Sequence, residues 1–74
     1  MNNDHLVRMC NQIGSFFESM PDREKATEDL AKHLKNFWAP LMRQQILTQL
    51  EQGEATELSE IALNALQQHK AILL

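Results

Sequence analysis

The sequence predicts an all-α fold: a small compact bundle of three to four short helices that forms a single domain over residues 1–74. A chain of 74 residues has room for one domain. It is 43% hydrophobic and has only two Gly and two Pro, which favours helix over turn-rich or β structure. Its apolar residues recur every three or four positions, the spacing of a helix with one buried face. A bundle is the simplest way to bury several such faces.

Residues 2–20 carry the first of these apolar stripes. Gly14 interrupts the stripe at a cost of about 1 kcal/mol relative to Ala, and its missing side chain could admit a second helix. Pro21 ends the segment because it lacks the backbone donor that a helix needs. The apolar members of the stripe are Leu6, Met9, Cys10, Ile13, Phe16, Phe17 and Met20.

The second helix is predicted to start after Asp22, a favourable N-cap residue, and to stop near Trp38. Pro40 forces Ala39 into an extended conformation and suits the first turn of a third helix. On the solvent face, Glu28 and Lys32 form an acid–base pair four residues apart. The residues expected to face inward are Ala26, Leu30, Ala31, Leu34, Phe37 and Trp38.

The third helix is expected to end at Gly53, and the fourth to begin after either Thr56 or Ser59. In the third helix the inward set is Leu41 or Met42 with Ile46, Leu47 and Leu50. In the fourth it is Leu58, Ile61, Ala62, Ala65, Leu66, His69, Ile72 and Leu73.

No group of residues in the sequence is typical of a catalytic or metal site. His5, His33 and His69 stand on different helices and have no His or Cys four residues away. We expect His5 and His33 to be solvated and His69 to be partly buried. Cys10 lies on an apolar stripe and is expected to be a core residue. The chain is therefore predicted not to be a catalyst by itself and to bind neither metal nor cofactor.

The charge balance argues against nucleic-acid binding. The formal net charge is −3, whereas nucleic-acid binders usually present a basic face. No apolar run approaches the roughly 20 residues of a membrane span, and the N-terminus has no pattern of a secretory signal. These observations predict a cytoplasmic protein that binds neither nucleic acid nor membrane.

The stretch "KNFWAPLMR", residues 35–43, is the candidate interaction site. A small bundle has little room for an indole, and Trp, Met and Arg are enriched at protein interfaces. Pro40 stiffens the segment, which lowers the cost of ordering it on binding. The predicted partner-binding residues are Phe37, Trp38, Pro40, Leu41, Met42 and Arg43, with Arg8 and Arg23 as charged supports. The competing interpretation places Phe37 and Trp38 in the core and Arg43 in solvent.

Three segments, "LVRMCNQIGSFF", "MPDRE" and "HLKNFWAPLMR", give the chain a family resemblance. In this order and spacing they resemble the delta subunit of the soluble, NAD-dependent, molybdenum-containing formate dehydrogenases. The resemblance runs from Leu6 to about Leu50 and extends more loosely into the fourth helix.

The resemblance implies a non-catalytic accessory subunit of a cytoplasmic complex that oxidises formate and reduces NAD. The partner would be the large (alpha) subunit, and the role would be its assembly, cofactor maturation or stabilisation. The implied cofactors of the complex are a molybdenum bis-guanine dinucleotide centre, iron–sulfur clusters, FMN and NAD. They belong to the other chains, since one cysteine cannot supply the usual four thiolates of a cluster.

Two other functions remain open from the residues. The chain could be a free-standing interaction module that forms a homodimer through Ile72, Leu73 and Leu74. A helix-turn-helix DNA binder is disfavoured, because the 40–52 helix offers Arg43 as its single cation and Glu51 opposes it.

Overall fold

The structure, a computed structural model, describes residues 2–74, and the side chains from residue 5 onward. Over this range the fold is all-α, as predicted, with no strand. The helices within the described residues are α1 Asn2–Ser15, α2 Arg23–Phe37, α3 Pro40–Glu51, α4 Glu60–Gln68 and the single turn α5 Lys70–Leu73. None of them is both long enough and apolar enough to cross a membrane.

The first helix is shorter than its apolar stripe. It ends at Ser15, and residues 16–19 form tight turns in which Phe16 N–H donates to Ile13 O at 3.1 Å and Phe17 N–H to Gly14 O at 3.0 Å. Phe16, expected to face inward, is 75% exposed, because the turn takes it off the helical stripe. Periodicity alone did not reveal this end, since the apolar spacing continues through the turns.

The caps of α2 and α4 follow from their sequences. Asp22 Oδ1 accepts from Lys25 N–H at 3.2 Å, as predicted. Ser59, not Thr56, caps α4, because its Oγ accepts from Ala62 N–H at 3.4 Å. Each side chain satisfies one of the backbone donors that a helix start leaves unpaired.

Gly53 ends the α3 segment in the predicted way. Its φ of +74° lies in the left-handed region, which L residues with a Cβ adopt at a cost. Gly53 N–H donates to Leu50 O at 3.2 Å, and Glu54 N–H donates to Gln49 O at 2.8 Å. This pair of bonds is the Schellman arrangement, which satisfies carbonyls left open at a helix end.

The core lies where α2 packs against α4 and α5, with α1 and α3 closing the sides. Gly14 allows the end of α1 to lie close to α2 and α4. A Cβ at this position would lie 3.2 Å from Ile61 Cγ2 of α4 and 3.4 Å from Leu30 Cδ2 of α2. The largest completely buried apolar side chains come from α2 to α5 and were all expected to face inward: Leu30, Leu34, Ile46, Ile61, Leu66 and Leu73.

The predicted fourth helix is divided at His69, where φ is −120° and ψ is 33°. The Thr27 hydroxyl donates to Glu24 O at 2.9 Å, so it can only accept from His69 Nε2, which lies 3.4 Å away. His69 is half-buried, as predicted, and this contact ties the α4–α5 junction to α2.

Asn11 holds the 54–59 connection in a way that the sequence did not indicate. Its Nδ2 donates to Glu57 O at 2.9 Å, and its Oδ1 accepts from Ser59 N–H at 2.7 Å. The same side chain therefore fixes both the loop and the residue that caps α4. An Asn on a helix surface has no sequence signal for such a contact, which depends on a loop 46 residues away.

Candidate docking site

The α2–α3 corner, residues 35–43, has an inside and an outside that the sequence did not fully separate. Trp38 is only 6% exposed and belongs to the core, which confirms its predicted place on the inward face of α2; the expectation that a small bundle has little room for the indole is wrong. Phe37, expected to be buried, is 73% exposed. Trp38 N–H still donates to Leu34 O at 2.9 Å, so the Trp38 side chain keeps the helical register of the buried Leu34, and its ψ of 141° turns only the chain that follows.

Arg43 connects the two helices from within the corner. It is 7% exposed, and its Nη1 donates to the Lys35 carbonyl oxygen at 2.5 Å. That carbonyl lies in the last turn of α2, where no further helical N–H is available. The competing interpretation of Arg43 as a solvent residue is therefore wrong, and α3 presents no cation there for DNA.

Pro40 and its neighbours form the outside of the corner. Pro40 is exposed at the first position of α3, and Ala39 is extended with φ −62° and ψ 149°, both as predicted. Leu41 is 64% exposed, whereas Met42 is half-buried against the core, so Met42 is the inward residue of this pair. The corner therefore presents Phe37, Pro40 and Leu41 on a frame fixed from behind by Trp38 and Arg43.

A row of aromatic rings extends from this corner to the turn after α1. The His33 and Phe37 ring centroids are 4.6 Å apart at an interplanar angle of 33°. On the other side of His33, the Phe17 ring lies 6.1 Å away at 66°, an edge-to-face arrangement. His33 is half-buried in this row, so the prediction of a solvated His33 is wrong, while His5 is exposed as expected. The i, i+4 spacing of His33 and Phe37 was the available signal for part of the row.

The two arginines predicted as charged supports are exposed but lie on other elements. Arg23 opens α2, about 22 Å along the helix axis from Trp38, at 1.5 Å per residue. Its Nη2 lies 3.8 Å from Glu60 Oε1 on α4. Arg8 is exposed on α1. The structure thus brings the six corner residues together and leaves Arg23 at the far end of α2.

Two buried polar groups on α3 are incompletely satisfied. Arg43 Nε and Gln49 Oε1 are buried without a hydrogen-bond partner in the part of the chain that the structure describes. Leaving such a group unpaired costs about 1–3 kcal/mol. Both lie on the same helix as the exposed Leu41, so α3 is the element whose polar groups are least well matched by its own chain.

The remaining reactive groups do not form a centre. Burial raises the pKa of the Cys10 thiol to about 12, so this thiol stays protonated and unreactive at neutral pH, in agreement with its predicted place in the core. Among the described side chains, His, Cys, Asp and Glu do not gather in any group of three or more that could hold a metal ion.

One comparison with known proteins identifies a family. No curated protein sequence and no solved structure matches the chain significantly. The family model of the NADH-dependent formate dehydrogenase delta subunit, FdsD, matches residues 5–66, which include the whole corner. The match covers most of the 74 residues and confirms the resemblance found in the sequence. The chain therefore belongs to the FdsD family of formate dehydrogenase delta subunits.

Proposed function

We propose that this chain is a non-catalytic accessory subunit of a cytoplasmic NAD-dependent formate dehydrogenase. It docks on the large (alpha) subunit and acts in the assembly, cofactor maturation or stabilisation of that subunit. The molybdenum centre, iron–sulfur clusters, FMN and NAD bind to the other chains, and this chain binds none of them. Family membership supports the complex, and the outside of the corner supports the docking mode.

The observation that carries the docking mode is the exposed pair Phe37 and Leu41 beside Pro40. Two large apolar side chains, 73% and 64% exposed, are held on a corner that Trp38 and Arg43 fix from inside. Such a rigid apolar site loses little conformational entropy on binding, and aromatic anchors dominate the energetics of many interfaces. Trp38 and Arg43 contribute by positioning the corner, and Phe37, Pro40 and Leu41 contribute the contacts.

The test is co-purification of the chain with the other subunits, using two matched double variants. Phe37→Ser with Leu41→Ser removes the outside of the corner. Phe16→Ser with Leu74→Ser is the control, because these residues are also large, apolar and 75% and 76% exposed. We expect the corner variant to weaken association at least tenfold and the control to stay within twofold. Equal effects of the two variants would refute the corner as the docking site.

The accessory role is tested separately. The chain alone, supplied with formate and NAD, should produce no NADH. The other subunits expressed without it should yield less active complex or less molybdenum per alpha subunit. A wild-type chain that binds none of the other subunits would overturn the accessory role itself.

The homodimer alternative is supported by fewer residues than the sequence indicated. Leu73 is buried in the core and Ile72 is half-buried, which leaves Leu74 as the exposed member of the C-terminal apolar end. Sedimentation over a range of concentrations distinguishes the two functions, because a stable dimer without affinity for the enzyme supports the alternative.

A further inference from the structure

A groove of about 500 Å³ runs between α1 and α3 and adjoins the corner through Leu41. Its walls combine two leucines with amide and hydroxyl side chains. Among the described residues that line it, Glu54 alone carries a charge. The lining residues used below are Leu6, Leu41, Gln44, Gln45, Thr48 and Gln49.

The polar groups of this groove match the hydrogen-bonding groups of a peptide backbone. A Gln side chain presents one carbonyl acceptor and an NH₂ donor, the same chemistry as a peptide unit, and Thr48 adds a hydroxyl. Gln49 is 6% exposed, and its Oε1 has no partner within the described chain. Gln49 therefore brings an unsatisfied buried acceptor to the wall of the groove, and a rotation of its side chain would present that acceptor to an incoming N–H group.

The nearly uncharged lining of the groove disfavours charged ligands. An anion would find no cation among the described lining residues, and a cationic ligand would meet a single carboxylate. The cores of protein interfaces are depleted in charged residues, as this groove is. The apolar Leu6 and Leu41 provide places for uncharged side chains.

The length of α3 sets the length of the segment that would fit. From Leu41 to Gln52 the helix rises about 16 Å at 1.5 Å per residue. An extended chain covers this distance in about five residues at about 3.3 Å each.

We propose that the α1–α3 groove binds an extended, uncharged segment of about five residues from a partner polypeptide. The segment lies along α3 and pairs its main-chain amides with Gln44, Gln45, Thr48 and Gln49. This inference rests on the proposed function, because Leu41 belongs both to the corner and to the groove, so the same partner subunit would supply the segment.

The first experiment compares two charge-matched double variants for binding to the other subunits. Gln45→Glu with Thr48→Glu places two carboxylates in the groove at exposed positions, so the fold is retained. Gln12→Glu with Gln68→Glu adds the same charge at exposed positions on α1 and α4. We expect the groove variant to bind at least tenfold more weakly and the control to remain within twofold of wild type.

The second experiment identifies the occupant. Overlapping 12-residue peptides that cover the other subunits are titrated into the isotope-labelled full chain. We expect one peptide to shift the backbone amide signals of residues 41–52 and to lose affinity for the groove variant. If no peptide binds, or if the groove variant binds the subunits as wild type does, the inference is overturned.

These outcomes separate the inference from the proposed function. A corner variant that loses binding while the groove variant keeps it rejects the groove and retains the docking subunit. If sedimentation shows a dimer that the groove variant dissociates, the occupant is a second copy and the peptide assignment is wrong. A wild-type chain that binds a peptide but no intact subunit supports the groove chemistry and rejects the proposed complex.

Discussion

The helices α2 and α3 differ in the charge of their solvent-exposed faces. The outer face of α2 carries ion pairs between residues four apart: Lys32 Nζ lies 3.2 Å from Glu28 Oε2, as the sequence predicted, and Lys25 Nζ lies 3.8 Å from Asp29 Oδ1. The exposed positions of α3 between its ends are uncharged, namely Leu41, Gln44, Gln45 and Thr48. A charged face is typical of a helix that stays exposed to solvent, whereas an uncharged face resembles the surface buried between two proteins.

The two helices differ in their interiors as well. The buried residues of α2 are apolar apart from Thr27, which is hydrogen-bonded, and Asp22 caps its start. The buried residues of α3 include Arg43 and Gln49, and its N-cap Ala39 makes no side-chain bond. The comparison indicates that α2 serves the stability of the fold, whereas α3 retains unpartnered buried polar groups among its described residues. Under the proposed function, a partner supplies the missing hydrogen bonds.

The largest expected effect is at the junction of the two helices. Trp38→Ala should lower the free energy of unfolding by about 3–5 kcal/mol, because it leaves a large cavity in the core. Phe37→Ala, one residue away and exposed, should change it by less than about 0.5 kcal/mol. Denaturant unfolding measures both, and similar losses would mean that the corner has no distinct inside and outside.

A pH-dependent effect is expected at Cys10, in the well-packed part of the molecule. Burial raises the pKa of its thiol from 9.0 to about 12, so the unfolded chain releases this proton at lower pH than the folded chain. Stability is therefore fully present below pH 9 and decreases as the pH rises from 9 towards 12. Between pH 7 and pH 10 the loss should be about 1.4 kcal/mol, the equivalent of one pKa unit.

The Cys10 contribution is isolated by the variant Cys10→Ala, in which this part of the pH dependence should disappear. The change in denaturation midpoint between pH 7 and pH 10 is measured for the wild type and for the variant. The difference between these two changes cancels the contribution of the lysines, which both proteins share. An unchanged pH dependence in the variant would show that the thiol is not desolvated in the folded state.

A gain in stability is expected on α3. Gln49→Met removes the buried amide whose Oε1 is unpartnered and keeps a similar volume, so it should raise the free energy of unfolding by about 1 kcal/mol. If the groove takes a peptide, the same variant should bind the other subunits more weakly. Thermal unfolding and binding are measured together; a loss of stability would show that the Gln49 amide is satisfied in solution.

The smallest expected effect comes from giving the exposed face of α3 an ion pair like those on α2. Gln44→Glu with Thr48→Lys creates an i, i+4 pair like Glu28–Lys32 and should stabilise the helix by about 0.2–0.5 kcal/mol. Removing the α2 pair with Lys32→Ala should cost no more than that, because both partners are solvated. The α3 variant should nevertheless weaken association with the other subunits, whereas Lys32→Ala should not.

Local chemistry made most of the fold predictable. Asp22, Pro40 and Gly53 mark helix boundaries by local chemistry, so the starts and the end that they set appear where the sequence placed them, whereas α1 ends at Ser15, before Pro21. The apolar residues spaced three or four positions apart predicted most of the core, because this spacing places them on one side of a helix. The FdsD resemblance was also carried by sequence alone.

Tertiary structure decided which residues near the helix ends are buried and which are exposed. Phe37 and Trp38 were both expected to face inward, but only Trp38 is buried, because the packing of the neighbouring helices decided which of these two adjacent positions is covered. Three features depend on how separate elements pack: the hydrogen bond from Arg43 to the Lys35 carbonyl, the loop held by Asn11, and the groove beside α3. The sequence determined where helices form and what family they belong to, and only their packing determined which surfaces remain for a partner.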